Sequence, residues 1–484
     1  MASVAIPARR LPSLPQGHWP VLAVALLALA IVAINPVGFL GVGSDDAQYL
    51  EAARCWVADA APCLPGSHWW TRWPVVAPLA LSTGVLGESR WTVGLGPLLY
   101  WAATLGLVGW LGGRWFDRAT GYLAAAFLAL TPAFAAAALQ PTADIAEIAW
   151  QLAALAAATL AIERRSRRLA VAAGAFAGVA FAARDTSVLF IAAAAIAWWL
   201  SPAAPRRLLA WAAAGLAAVV VGEMLVYGLV TGDPLWRFAL AAGHAGIPST
   251  ELPASVDTSS APFFNPDYIM NWKREMDIRF FWPLDPWLNL LASPRIMQIL
   301  IAPLVLAAAY RQLLSAQDRH RLKRLVGLAL LVAALLVYAL AIDPKPRMFM
   351  ALAAACAMSA GALASSAWAS GHRLLPGFVA AGCAVCGFYF MAIWGATYDS
   401  EVRARQWIAA HPGRMEVDRN ARGYLMLVAE ARDLPLAGSG RPLLVTVAGR
   451  ACADEPPAAR ARLLLEALGG PNPAQRELCL WAYR

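Results

Sequence analysis

The chain has 484 residues, of which 60% are hydrophobic and 14% are charged, and it carries a net charge of +9. Its mean hydropathy is +0.56. Soluble domains are usually about 45–50% apolar and about 25% charged, so this composition excludes a single soluble domain. The length and the 7 cysteines exclude a secreted disulfide scaffold.

Apolar blocks of roughly 17–24 residues, long enough to cross a hydrocarbon core of about 30 Å, recur along the chain. The first block follows two arginines and has no small-residue cleavage site after it, which favours a retained span over a signal peptide. The stretch 74–87 is short and contains proline, so we expect it to lie in the interface or re-enter. About eleven transmembrane helices are predicted, at 19–40, 91–112, 119–139, 145–162, 169–183, 187–200, 208–230, 296–310, 325–342, 348–370 and 375–395.

Basic residues are concentrated in alternate short loops, as the positive-inside rule requires. With the N-terminus inside, the inner loops hold 16 basic residues and 3 acids, a balance of +13, and the remaining 23 basic residues and 27 acids give −4. The net positive charge is therefore explained by membrane topology and gives no case for nucleic-acid binding. We predict a multi-pass protein of the bacterial cytoplasmic membrane, since the Arg- and Ala-rich, Lys-poor composition is typical of a high-GC bacterium.

Two domains are predicted, a membrane domain over 1–395 and an extracytoplasmic domain over 396–484. The membrane domain carries two long outer loops, 41–90 and 231–295. The second domain has the pattern of a small α/β unit. Its expected strands are at 414–418, 442–449 and 478–483, and its expected helices are at 400–411, 419–432 and 457–468.

Four cysteines fall in the outer segments, in an oxidising compartment. Cys55 with Cys63 and Cys452 with Cys479 are candidate disulfides, with free thiols as the alternative for each pair. The CxxC spacing that begins at Cys383 lies among apolar residues of a span with no histidine nearby, which indicates small-residue packing rather than redox or zinc chemistry.

The first outer loop opens with two adjacent acids, Asp45 and Asp46. One interpretation is a helix start, with Ser44 as the cap and the acids favourable to the helix dipole. A cap needs one acid, however, and two carboxylates at the membrane surface are costly unless they meet a cation or a reacting proton. The same loop continues to Arg72 among three tryptophans, which suits either an interfacial aromatic belt or an anionic headgroup and a sugar.

Three further polar sites stand at the outer ends of predicted spans. Asp144 begins the fourth span, and Glu147 lies one turn deeper. An acid at the bilayer centre costs about 3 kcal/mol, and the cost is smaller near the end of a span. Arg184 sits beside Asp185 in a very short turn, and a local ion pair is the alternative to a functional role. Lys345 and Arg347 place positive charge on the outer side, against the topology rule, so a phosphate partner is plausible there.

Taken in order, these elements resemble the C-type (GT-C) glycosyltransferases, membrane enzymes that take sugars from polyprenyl-phosphate carriers. Protein O-mannosyltransferases and the aminoarabinose transferases of lipid A belong to this group. Their acidic D-E/D-x-x-Y element after span one is matched by 45–49, and the later elements by 73–89, 113–121, 131–144, 174–184, 231–235 and 345–347. The resemblance covers roughly residues 20–350 and departs from the family at 72–74, which replaces Lys-Pro-Pro, and at Met348, which replaces an aromatic residue.

The resemblance implies a fold and a catalytic set. The fold is a polytopic α-helical GT-C membrane domain, and the reaction moves a sugar from a polyprenyl-phosphate carrier to an acceptor hydroxyl with inversion. Asp45 is then the general base, and Asp46 and Asp144 shape the cavity, orient the acceptor or bind a cation. The resemblance leaves open whether a divalent cation acts as a cofactor.

Six substrate-binding residues are implied in the same way: Tyr49, Arg72, Arg184, Lys345, Arg347 and His244. Arg184, Lys345 and Arg347 would hold the carrier phosphate as it leaves, and His244 loosely matches a metal-binding histidine of some relatives. Such a set suits the chemistry, since the nucleophile loses a proton while negative charge develops on the phosphate.

Two other classes of protein remain alternatives at this point. A transporter or flippase of lipid-linked sugars would also need buried acids and basic phosphate contacts, although its site would lie near the midplane. A polysaccharide polymerase or ligase would share topology and lipid substrates. The sequence leaves open the donor sugar, and the acceptor can be a lipid, a protein or a polysaccharide.

Overall fold

A computed structural model describes residues 19–34, 45–59, 67–201, 204–244, 281, 283–340 and 345–394, together with 408–409, 416–417, 434–435, 443–448 and 476–481. Over the membrane domain the described chain is helical. The helices are α1 (Trp19–Ile34), α2 (Asp45–Asp59), α3 (Trp73–Leu86), α4 (Arg90–Trp115), α5 (Arg118–Ala129), α6 (Pro132–Ala136), α7 (Ala143–Arg164), α8 (Arg167–Ala183), α9 (Ser187–Leu200), α10 (Arg206–Thr231), α11 (Trp236–His244), α12 (Asp285–Ala292), α13 (Met297–Tyr310), α14 (Ala316–Ala334), α15 (Met350–Ala369) and α16 (Leu374–Trp394).

Within the described residues, five helices are long and apolar enough to cross a membrane: Trp91–Trp115, Ala143–Arg164, Arg206–Thr231, Ala316–Ala339 and Pro346–Ala369. A sixth span results if Asp285–Ala292 and Met297–Leu313, which meet at a bend of 96°, cross as one broken helix. The chain is thus a polytopic helical membrane protein. Shorter apolar helices occupy other predicted spans, and the total of about eleven spans stays a prediction.

The predicted span at 119–139 is not one unbroken helix, because two helices occupy it. α5 ends at Ala129, and Thr131 is extended (φ −77°, ψ 116°) immediately before Pro132, the first residue of α6. Steric clash with a proline ring disfavours helical backbone in the preceding residue, which explains the break. The N–H of Ala133 donates instead to the carbonyl oxygen of Arg295, 2.9 Å away, at the bend between α12 and α13.

Close packing of α8 against α10 fixes the part of the bundle beside the site. A Cβ atom at Gly174 in α8 would collide with the carbonyl oxygen of Ala212, and one at Gly215 in α10 would collide with that of Val171. Small residues that let backbones approach are the usual basis of helix association in membranes. These two glycines therefore set the spacing between α8 and α10.

Three strands are described in the C-terminal region, at positions close to the predicted ones. They are β1 (Glu416–Val417), β2 (Leu443–Ala448) and β3 (Arg476–Trp481), and they form a sheet in the order β1-β2-β3. β1 pairs with β2 in parallel and β2 pairs with β3 antiparallel, with Val445 opposite Cys479. The helices predicted between them lie outside the described residues, so the α/β domain stays a prediction.

The structure describes some of the cysteines for which the sequence made predictions. Cys55 in α2 is disulfide-bonded, and its predicted partner Cys63 lies outside the described residues. Cys383 is a buried free thiol, as expected for a packing residue. Cys452 also lies outside the described residues, so its pairing with Cys479 stays a prediction.

Replacing Gly174 with alanine should separate α8 from α10, because the new methyl group meets backbone that cannot move aside. We expect the free energy of unfolding to fall by about 1–3 kcal/mol. Thermal unfolding of the detergent-solubilised protein measures this loss. The matched control is Gly222→Ala in α10, where an added Cβ meets no atom within 4 Å. Equal stability of the two variants would contradict the close-packing account.

Candidate active site

Charged side chains of alternating sign form a continuous chain at one end of the bundle. Arg347 Nη2 lies 2.9 Å from Asp45 Oδ2, and its Nε lies 3.6 Å from Asp144 Oδ2. The other oxygen of Asp144 accepts a hydrogen bond from Arg184 Nη1. Arg184 Nη1 also lies 3.9 Å from Glu147 Oε2. The predicted residues Asp45, Asp144, Arg184 and Arg347 are thereby brought into one cluster.

Each of these residues stands at the end of a helix, which explains how distant segments meet. Asp45 is the first residue of α2, and Asp144 is the second residue of α7. Arg184 follows the last residue of α8, and Arg347 lies in the 3₁₀ turn Pro346–Phe349 that leads into α15. Acids in the first turn of a helix are stabilised by its dipole, so the two aspartates suit their positions.

Glu147 is buried and satisfied by hydrogen bonds that the sequence did not reveal. Its Oε1 accepts from Ser187 Oγ at 2.7 Å, from Gln151 Nε2 at 3.1 Å and from Thr186 Oγ1 at 3.2 Å. In the sequence, the position of Glu147 one turn inside an apolar span indicates a polar pocket. Ser187 and Gln151 carried no such signal, because serine and glutamine are tolerated in helices with many roles.

Arg72 reaches into the same region from the start of α3. Its Nη1 donates to the hydroxyl of Tyr49, 2.7 Å away. Burial raises the pKa of the Tyr49 phenol to about 12, so the hydroxyl keeps its proton at neutral pH. Burial alone would lower the pKa of Arg72, but its interaction with Tyr49 and the negative charge of Asp45 raise that pKa above the usual value. Arg72 is thus a fixed positive charge beside Asp45.

The carboxyl group of Asp45 is held in its ionised form. Burial by itself would raise its pKa, but the positive charges of Arg347, Arg72, Arg184 and Lys345 outweigh burial and hold the pKa below its usual value of 3.8. An ionised carboxylate at the membrane surface can accept a proton. This is the state that a general base requires.

Three other predicted site residues, Asp46, Lys345 and His244, are not part of the chain of ion pairs described above. Asp46 is fully buried, and its Oδ1 accepts from the N–H of its neighbour Ala47 at 2.9 Å. Lys345 is half-buried and precedes Pro346. His244 is the last residue of α11, and its side chain lies outside what the structure describes. Among the described residues, no group of three histidine, cysteine or acidic side chains is arranged to hold a metal ion.

The predicted local pair between Arg184 and Asp185 does not form, since the two side chains have different partners. Arg184 contacts Asp144, whereas Asp185 Oδ1 accepts from Arg237 Nη2 at 2.6 Å. Arg237 and its second partner, Glu223 in α10, extend the charged cluster away from Arg184. Glu223 lies within the predicted span 208–230, where an acid is unusual, whereas Arg237 lies in an outer loop and carries no such signal in the sequence.

A polar cavity and an apolar groove meet at this cluster. The cavity has a volume of about 20 Å³ and is lined by Asp144, Glu147, Arg184 and Arg347 among others. A groove of about 870 Å³ is lined almost entirely by apolar side chains of α7, α8, α9, α10, α14 and α15. Ile148, Val332 and Ala351 line both spaces. The arrangement suits an amphiphile with an anionic headgroup and a long apolar tail.

Known proteins are similar to this chain in part of its sequence and in its fold. Residues 74–227 match the sequence family described as dolichyl-phosphate-mannose-protein mannosyltransferase. No curated protein matches the chain significantly. The fold is similar to that of ArnT from Cupriavidus metallidurans bound to undecaprenyl phosphate, with a TM-score of 0.53 and 16% identity, over 96% of this chain and 98% of that one.

Archaeal structures show the same fold. The chain is similar to the apo oligosaccharyltransferase of Archaeoglobus fulgidus, with a TM-score of 0.53 and 15% identity, over 87% of this chain and 62% of that one. It is also similar to AglB of that organism in complex with an inhibitory peptide and a dolichol-phosphate, with a TM-score of 0.51 and 14% identity, over 88% and 62% of the two chains. The chain thus spans about three fifths of the length of the archaeal protein.

The sequence-family match, the shared fold and the charged cluster together confirm the resemblance seen in the sequence. Over residues 74–227 the chain matches a mannosyltransferase family, and its fold is similar to that of ArnT, as the GT-C resemblance in the sequence implies.

Replacing Arg347 with glutamine should change the pH dependence of kcat/KM, which reports ionisations of the free enzyme. A base works when deprotonated, so activity falls as the pH drops through its pKa. Without Arg347, the largest opposing positive charge is lost and burial raises the pKa of Asp45, so the acidic limb should move to higher pH. If the acidic limb of the kcat/KM profile stayed at the same pH in the variant, Asp45 would not be the general base. Arg114→Gln, in an exposed ion pair with Glu163, is the control.

Proposed function

We propose that this enzyme transfers a sugar from a polyprenyl-phosphate carrier to an acceptor hydroxyl, with inversion at the anomeric carbon and with Asp45 as the general base. The observation that carries the proposal is the junction of the Asp45–Arg347–Asp144–Arg184 cluster with the apolar groove. This junction offers a base, fixed cations and a path for a lipid tail in one place.

The reaction needs a proton acceptor and a stabilised leaving group. The acceptor oxygen attacks the anomeric carbon, the bond from that carbon to the phosphate oxygen breaks, and its electron pair stays on the phosphate. The acceptor proton passes to the Asp45 carboxylate. A positioned base contributes about 10²–10⁴-fold in rate.

The leaving phosphate is assigned to Arg184 and Arg347, with Lys345 beside them. Both guanidinium groups contact Asp144, so they lie on either side of one carboxylate and can bridge an oxyanion of similar size. Planar guanidinium groups suit phosphate geometry. Asp144 then orients the two arginines, and Asp46 shapes the cavity wall behind Asp45. Arg72 and Tyr49 are assigned to the sugar–phosphate, and His244 remains a candidate substrate contact.

The carrier lipid is assigned to the apolar groove. The groove runs along α7 from Ile148 to Ile162, a distance of about 21 Å along the helix axis. Among the similar structures, ArnT is bound to undecaprenyl phosphate and AglB is in complex with a dolichol-phosphate. A groove of this length accommodates part of such a tail and leaves the remainder in the bilayer.

The site is assigned to the outer face of the cytoplasmic membrane. Arg114 at the end of α4 pairs with Glu163 at the end of α7, and Arg321 at the start of α14 donates to the carbonyl oxygen of Trp115. The end of the bundle opposite Asp144 is therefore rich in arginine, and the positive-inside rule favours the cytoplasm for it. The N-terminus would then be inside and the C-terminal domain outside. That domain stands on the side where a lipid, protein or polysaccharide acceptor would approach.

Replacing Asp45 with asparagine should lower the rate of sugar transfer by about 10²–10⁴-fold, because the amide cannot take the acceptor proton. The assay measures undecaprenyl phosphate released from a panel of undecaprenyl-phosphate hexoses and pentoses in membranes containing the protein. Glu51→Gln, on the same helix, is the matched control and should retain activity. An unchanged rate in the Asp45 variant would show that the mechanism is wrong.

Replacing Ala158 with tryptophan should block the groove on α7 without touching the charged cluster. The affinity for undecaprenyl phosphate should fall about tenfold or more, since several buried methylene groups lose their contact. The affinity for geranyl phosphate, whose tail is short, should be unaffected. Ala217→Trp on the exposed side of α10 is the control. Equal weakening for both lipids would argue against the groove as the tail site.

A further inference from the structure

A second buried charged group, here called the Arg237 cluster, lies behind the site and consists of Arg237, Glu223, Asp185 and Tyr227. Arg237 Nη1 lies 2.8 Å from Glu223 Oε2 and 3.0 Å from its Oε1. Arg237 Nη2 lies 2.6 Å from Asp185 Oδ1. The side chains of Arg237 and Glu223 are 2% and 6% exposed, so this ion pair is almost completely withdrawn from solvent.

The Arg237 cluster contacts the chain on both sides of Arg184, at the backbone of Phe181 and at the side chain of Asp185. Arg237 Nη2 donates to the carbonyl oxygen of Phe181 at 2.6 Å and to Asp185, the residue that follows Arg184. Between these anchors, Arg184 leaves α8 in an extended conformation (φ −158°, ψ 129°). Its direction is therefore set from outside the helix. The side chain that emerges there is the one that contacts Asp144 and Glu147.

The same cluster also holds the segment that carries Arg72. The hydroxyl of Tyr227 donates to the carbonyl oxygen of Thr71 at 2.8 Å and lies 3.4 Å from Glu223 Oε1. Thr71 immediately precedes Arg72. Glu223 and Tyr227 are one turn apart on α10, so one helix face connects Arg237 to both segments.

The geometry is specific to an arginine at this position. One guanidinium group uses Nη1 for Glu223 and Nη2 for both Phe181 and Asp185, while its Cζ lies 5.1 Å from the centre of the Phe181 ring. A planar guanidinium group can donate hydrogen bonds to all three partners at once and stack on an aromatic ring. A lysine ammonium group keeps the charge but has one nitrogen, so it cannot make the same set of hydrogen bonds.

We infer that Arg237 is a positioning residue, which sets the direction of Arg184 and, through Glu223 and Tyr227, the place of Arg72. This inference rests on the proposed function, in which those two arginines contact the donor. Arg237 itself lies on α11, and within the described part of the chain its hydrogen bonds go to Glu223, Phe181 and Asp185 rather than to Asp45 or Asp144.

A double-mutant cycle between Arg237→Lys and Arg184→Lys tests the inference, with kcat measured by undecaprenyl phosphate release from the donor panel. In the wild-type background, Arg237→Lys should lower kcat by about 10–10²-fold, the scale of a small misplacement of a catalytic group. In the Arg184→Lys background, the same change should cost at least about threefold less than in the wild type, because its effect through Arg184 is already lost and only that through Arg72 remains. A merely structural role would cost the same factor in both backgrounds, and that result would overturn the inference.

Two further variants keep the result interpretable. Tyr227→Phe removes the hydroxyl contacts with Thr71 and Glu223 but leaves the hydrogen bonds of Arg237 in place, so it should lower kcat less than Arg237→Lys. Arg114→Lys is the control outside the site. Full activity of Arg184→Lys would refute the proposed phosphate role of Arg184. Loss in Arg184→Lys combined with an unchanged factor for Arg237→Lys would refute the positioning role alone.

Discussion

The contact of Arg347 with Asp45 and Asp144 is the interaction on which the site depends. It joins residues 302 positions apart in sequence and closes the gap between α2, α7 and the turn before α15. Carboxylates and guanidinium groups at a membrane boundary are costly to bury unless each has partners of opposite sign. The alternating order from Asp45 to Glu147 meets this requirement. Removing Asp144 would take from both arginines a carboxylate partner that is almost fully buried.

The same constraint makes the site ready for its chemistry. Fixed cations keep the Asp45 carboxylate ionised, so no proton must be removed before an acceptor binds. The two arginines are already oriented by Asp144, so the proposed phosphate site would need little rearrangement to form. Preorganised charges of this kind usually supply the largest part of electrostatic catalysis. The polar end remains continuous with a groove that an apolar tail can enter.

Much of the membrane domain was predictable from the sequence because apolar length and basic-residue bias act through the bilayer itself. Asp45, Asp144, Arg184 and Arg347 were predictable as candidates, since charge at the edge of a span needs a reason. Arg237 was not predictable, because a single arginine in an outer loop is unremarkable until its distant partners are known. The break at Thr131 was missed because proline at the start of a helix and proline within a span leave the same trace in the sequence.

That break has a consequence for how the protein is made. The N–H of Ala133 is released from its own helix and is satisfied by the carbonyl oxygen of Arg295. An unsatisfied backbone group in lipid costs several kcal/mol. Until the ribosome has produced the segment around Arg295, the earlier segment must keep this group hydrated or near the membrane surface. We therefore expect full burial of the α5–α6 break only after the segment around Arg295 has been synthesised.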